Sequence, residues 1–121
     1  MTLDRKDAAK ERSYKFALQI MHLVDGFENK LSSQVIARQL LRSATSIGAN
    51  IVEGQASPTR KDFSLFLCHA LKSANETLYW LKLLRDSNKV PGNIAAPLIR
   101  ECDELAKMLG ASIKTVSQRV M

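Results

Sequence analysis

Apolar residues recur at spacings of three and four in four successive segments, and strict apolar–polar alternation appears nowhere. The first segment runs from about Asp7 to Asp25. Tyr14, Ala17, Leu18, Met21 and Val24 share one side of it, and Gly26 supplies the left-handed residue that commonly closes a helix. The second begins at Ser32 or Ser33, either of which can cap it, and runs to about Gln55, with Ile36, Leu40, Ala44, Ile47 and Ile51 as its inner stripe. Ser57-Pro58 marks the turn that follows. The third opens at Thr59, with Asp62 in a capping-box-like position. Its stripe is Phe63, Phe66, Leu67, Ala70, Ala74, Leu78 and Leu81, and it ends near Asp86. SNKVPGN is turn chemistry. The fourth helix starts between Asn93 and Pro97 and turns Leu98, Cys102, Leu105, Leu109, Val116 and Val120 inward. Four helices with short connections predict an all-α, antiparallel up-down four-helix bundle filling one domain, residues 1–121.

The second helix carries more apolar surface than such a bundle needs. Ala37, Leu41, Gly48 and Val52 widen its stripe to roughly 160°, where a core-facing stripe needs little more than about 100°. On the third helix Leu65, Trp80 and Leu83 lie away from the core stripe, with His69 and Glu76 between them. Leu41, Val52, Leu65, Trp80 and Leu83 are therefore the expected contacts of a homo-oligomer. The competing expectation is that the N-terminal segment covers them within one chain.

The rest of the second helix is polar, with Gln39, Arg42, Ser43, Ser46, Asn50 and Glu53 along it. This line suits either a ligand or a hydrogen-bonded seam between closely packed helices. The seam is the favoured expectation, with Arg42, Ser46, Asn50 and Glu53 meeting Ser73 and Glu76 and with Arg42 neutralising the carboxylates.

Composition narrows the classes. Of 121 residues, 45% are hydrophobic and 25% charged, as in an ordinary globular chain. No apolar run approaches the ~18 residues of a membrane span, so no membrane association is expected. The charged start, MTLDRKDAAKERS, is unlike a secretory leader. Cys68 and Cys102 have neither metal-type nor disulfide-framework spacing and read as reduced core thiols of a cytoplasmic protein. His22 and His69 fall on different helices, and Cys68 and His69, adjacent in a helix, point about 100° apart, so no metal is expected. Glu53 and Glu76 could form a carboxylate pair, but no neighbouring nucleophile accompanies them and no phosphate-cradling glycine loop is present. Neither catalysis nor a cofactor is expected.

The net charge of +6 leans toward an anionic partner, against the plainer reading of charge for solubility. Arg5, Lys6, Lys10, Arg12 and Lys15 crowd the first helix, diluted by Asp4, Asp7 and Glu11. Arg38 and Arg42 are one turn apart on the second, and Arg60-Lys61 opens the third, where the helix dipole adds positive potential. Arg12, Lys15, Arg38, Arg42, Arg60 and Lys61 are the candidate nucleic-acid contacts. No RNA- or DNA-binding motif of a named class is present.

Arg42, Ser46-Ile47, Asn50-Ile51 and Glu53-Gly54, followed by Phe63, Phe66-Leu67, Ala70, Ser73 and Glu76, form a spaced set that resembles the signature of the 23S rRNA intervening-sequence protein family of four-helix bundles. That family often has proline where this chain has Gly48, and either residue permits a kink or a close approach. The resemblance implies a homopentamer. It also implies relatedness to accessory proteins of diversity-generating retroelements, basic barrels that bind a reverse transcriptase and nucleic acid. Five copies would raise the charge to about +30 in a symmetric array. The resulting expectation is a non-catalytic oligomeric scaffold or adaptor holding RNA or DNA through basic residues. The alternative is a purely protein-binding scaffold.

Overall fold

The computed structural model describes residues 5–120, and the side chains of Arg5, Lys6, Arg119 and Val120 are not among those described. The expectations for Asp4 and for the side chains of Arg5, Lys6 and Val120 lie outside the described residues. Within them the chain forms α1 (Arg5–Asp25), α2 (Leu31–Gln55), α3 (Arg60–Asp86) and α4 (Gly92–Val120), and no strand. Each helix packs on its two neighbours in a closed ring, α1 on α2 and α4, and α3 on α2 and α4. The result is the expected up-down bundle.

The core is an axial column. Phe16 and Ile20 of α1 meet Leu40, Ala44, Ile47 and Ile51 of α2, Leu67, Ala70, Ala74 and Leu81 of α3, and Leu98, Cys102, Leu105 and Leu109 of α4. The stripes expected for α2, α3 and α4 are largely those found. Ile36, Phe63, Leu78 and Val116 sit at the margin of the core, partly buried against it. Phe66 is half-buried beside the α2–α3 groove described below.

Helix α1 departs from expectation. Its buried face is Ala9, Ser13, Phe16 and Ile20, whereas Tyr14, Leu18 and Met21 point outward, 67%, 41% and 47% exposed. Both rows have helical spacing, so periodicity alone could not choose between them. Ser13 is tolerated inside because its hydroxyl donates to the Lys10 carbonyl at 2.9 Å. A Cβ at Gly48 would lie 3.1 Å from Ser13 Oγ, so the glycine lets α1 and α2 approach closely at this level.

The helix ends show three further differences. Gly26 has no left-handed backbone, and Asn88 does, at φ 62°. Asn88 N–H donates to Arg85 O at 3.1 Å and Lys89 N–H to Leu84 O at 3.0 Å, the paired bonds of a Schellman close, in a conformation asparagine tolerates. Helix α2 begins at Leu31 behind Lys30, which has no side-chain cap bond, rather than at a serine cap. Ser33 instead donates to Glu28 Oε1 at 3.2 Å and accepts from Lys89 Nζ at 3.1 Å, clasping two loops at one end of the bundle. Helix α4 begins at Gly92, so Pro97 lies inside it, in its second turn, where its missing N–H costs one i→i−4 bond, that to the Asn93 carbonyl. Thr59 caps α3 as expected, its hydroxyl accepting from Asp62 N–H at 3.1 Å.

Candidate functional site

The polar residues of α2 and α3 meet in a ladder of hydroxyls. Ser43 and Thr77 lie 2.8 Å apart inside the core. A turn further along, Ser73 Oγ donates to Ser46 Oγ at 3.0 Å, and Asn50 Nδ2 donates to the Ser46 carbonyl at 2.8 Å and to its hydroxyl at 2.9 Å. Beyond this, a Cβ at Gly54 would stand 3.0 Å from Phe66 Cβ and 3.1 Å from Phe63 Cδ1, so the glycine sets the approach of the two helices. Small residues at one spacing and hydroxyls at the next produce a close, registered contact.

The outer edge of this ladder opens into a groove of about 370 Å³, lined by Ser46, Asn50, Phe66, His69, Lys72, Ser73 and Glu76. The Phe66 and His69 rings stand 6.4 Å apart at 61°. Glu76 Oε2 accepts from Trp80 Nε1 at 3.0 Å.

Four of the six residues expected in the seam, Ser46, Asn50, Ser73 and Glu76, are thus together. Arg42 and Glu53 are not part of it. Both are exposed, and neither forms an ion pair among the described residues, so the expected neutralisation of Glu53 and Glu76 by Arg42 does not occur. On an ideal helix they sit further round than Ser46 and Asn50, beyond reach of α3. Thr77 is a seam member that the sequence pattern did not single out. The available signal was its placement, one turn from Ser73 and on the apolar side of α3.

The five expected interface residues divide. Leu41 and Trp80 are partly buried against the chain's own core, so this bundle covers much of them. Val52, Leu65 and Leu83 remain 47%, 54% and 40% exposed. The Tyr14, Leu18 and Met21 row of α1, which periodicity places inward, is a further outward apolar feature.

The six candidate cations divide as well. Arg12 is engaged. Its Nε donates to Glu101 Oε2 at 3.0 Å and a terminal nitrogen to Oε1, tying α1 to α4, and the hydrogen bond with Glu101 raises its pKa further. Lys15 pairs with Glu11 at 3.1 Å on the same helix. Arg38, Arg42, Arg60 and Lys61 are exposed and form no ion pair among the described residues. They make two separate groups. Arg38 and Arg42 lie in the first half of α2, and Arg60 and Lys61 sit past its far end at the start of α3, about 20 Å along the axis from Arg42 at 1.5 Å per residue.

Cys102 is buried, its thiol donates to the Ala74 carbonyl at 3.3 Å, and burial pushes its pKa up to about 12. Cys68 is exposed on α3, which corrects its assignment to the core. Among the described residues, no cluster of three histidine, cysteine, aspartate or glutamate side chains could hold a metal ion, and no helix is long and apolar enough to cross a membrane.

The architecture defines the class first: an antiparallel four-helix bundle whose middle helices are joined by a small-residue polar ladder. Residues 5–111 match the family described as 23S rRNA-intervening sequence protein. The chain belongs to that family. It is similar to a protein of unknown function from the S23 ribosomal protein family of Bacteroides thetaiotaomicron, whose crystal structure shares 37% sequence identity and a TM-score of 0.85. That match covers 91% of this chain and 98% of the other. No curated protein matches the sequence.

Proposed function

We propose that this protein is a non-catalytic, homo-oligomeric scaffold that holds RNA or DNA by charge. The observation that carries the reading is the set of four exposed cations, Arg38, Arg42, Arg60 and Lys61, that form no ion pair among the described residues in a chain of net charge +6. Long flexible cations of this kind attract phosphate backbones without reading sequence. Because they form two separated groups on one chain, a strong field requires several copies side by side, and the outward row Tyr14, Leu18 and Met21 gives copies an apolar surface to share. A pentamer is the assembly implied by the family signature. A reverse transcriptase is a candidate protein partner on the same ground, and a cytoplasmic setting fits the reduced thiols.

The same apolar row favours a second reading, a scaffold that binds protein alone. A salt titration separates the two. Affinity for a generic fluorescent RNA that falls steeply as salt is raised supports the first. Absence of binding at low salt removes it and leaves the second. The mass of the native particle tests assembly, and a folded monomer at micromolar concentration would overturn that part.

A further inference from the structure

We propose that the α2–α3 groove is a binding site for a single unpaired nucleobase of single-stranded nucleic acid. The inference deepens the charge-held scaffold reading and rests on it, since charge is what brings a strand to the surface.

Four features of the groove point to this ligand. At about 370 Å³ it is at the small end of ligand pockets, with room for one nucleotide and not for a duplex. Its aromatic wall is a corner: Phe66 and His69 meet at 61° with centres 6.4 Å apart, an edge-to-face pair beside which a flat ring can stack.

Its polar wall presents a donor beside an acceptor. The Ser46 carbonyl can only accept, so the Asn50 atom 2.8 Å from it is the amide nitrogen, and Oδ1 has no partner among the described residues. Ser46 Oγ already accepts from Asn50 Nδ2 and from Ser73 Oγ, so its own hydrogen remains to be donated. A donor next to an acceptor matches the Watson–Crick edge of a base, which is free only when the base is unpaired.

The charges at the rim oppose each other. Lys72 and Glu76 carry opposite signs one turn apart, and Glu76 is held by Trp80 rather than by Lys72. With its net charge cancelled, the groove is a poor trap for phosphate alone, and recognition falls to the ring and its edge.

The test is fluorescence anisotropy at low salt with two labelled 12-nucleotide strands of equal charge, oligoadenylate and an abasic counterpart. The wild-type protein is expected to prefer the base-bearing strand about tenfold, in line with the worth of one aromatic-stacked base. Asn50→Ala and His69→Ala should each bring that ratio below about two and leave the abasic affinity unchanged. His69 is exposed, so its replacement leaves the fold intact even if Asn50→Ala weakens the seam. Equal binding of both strands by the wild type overturns the base site and leaves the charge-held reading standing. Binding of neither strand overturns both. A tenfold preference that survives His69→Ala overturns this groove as its location.

Discussion

Ser43 and Thr77 bring their hydroxyls within 2.8 Å of each other across the α2–α3 interface, at a level where the surrounding side chains are apolar. Thr77 Oγ1 also lies 2.8 Å from the Ser73 carbonyl, and Ser43 Oγ lies 3.2 Å from the Leu40 carbonyl. Two hydroxyl hydrogens are shared over these three close approaches, so each group keeps a partner within its own helix while fixing the register between the two. Thr77→Val keeps the shape and removes the bridge, and should destabilise the fold by about 1 kcal/mol. Ser43→Ala with Thr77→Val should cost less than the sum of the singles, with a coupling of about 1 kcal/mol in urea unfolding. Simple additivity would show that the bridge contributes nothing.

Gly48 and Gly54 occupy equivalent-looking helical positions, yet alanine should act oppositely at the two. At Gly54 the new methyl meets Phe66 Cβ at 3.0 Å and Phe63 Cδ1 at 3.1 Å, and a ring and a Cβ attached to the helix backbone yield little. Gly54→Ala should destabilise by about 1–3 kcal/mol through overpacking. At Gly48 the tight neighbour is Ser13 Oγ alone, the next atom being Ser13 Cβ at 3.6 Å. In a Ser13→Ala background, Gly48→Ala should therefore raise stability by about 1 kcal/mol, the helical advantage of alanine over glycine. Thermal unfolding of the two variants measures both signs.

The helix count, the turns and the inner faces of α2, α3 and α4 were legible because one apolar row dominates each helix and turn chemistry separates them. Helix α1 was not, because Tyr14, Leu18 and Met21 form an apolar row as regular as Phe16 and Ile20, and the decisive partner of Ser13 is Gly48 on another helix. The groove was legible in half. Ser46 and Asn50 are four residues apart on α2, and Ser73 and Glu76 three apart on α3, each about one turn. Adding Phe66, His69 and Lys72 required the axial register between the two helices, which the hydroxyl ladder sets and a single sequence does not state. Likewise, that Arg12 is engaged depends on Glu101 standing opposite it on α4.

The two thiols should behave differently. Cys68 is exposed and should react with a thiol reagent in the native protein, whereas Cys102 should react only on unfolding. The Cys102 thiol is raised to about 12 by burial and is thereby kept protonated in the fold, while in the unfolded chain it ionises near 8.5–9. Above that lower value the unfolded state binds fewer protons than the native state, so stability is present at neutral pH and is lost as pH rises toward 12. Between pH 8 and pH 10 the wild-type protein should lose about 1.5 kcal/mol more than Cys102→Ala. Equal losses would show that Cys102 ionises freely in the fold.

The basic side chains provide the sharpest contrast between structure and net charge. Arg12 is held by both oxygens of Glu101, so its charge is already matched, and Arg12→Ala should change RNA affinity less than twofold. It should instead speed amide hydrogen exchange in α1, because it removes an ion pair that ties that helix to α4. Arg38→Ala and Arg42→Ala remove exposed cations that have no ion-pair partner among the described residues. Each should weaken RNA binding at low salt without altering unfolding. Each should also reduce the slope of log affinity against log salt by about one for every phosphate of the bound strand that is no longer neutralised. If Arg12→Ala lowers affinity as much as Arg42→Ala while the slope stays fixed, the binding surface is not the one these free cations define.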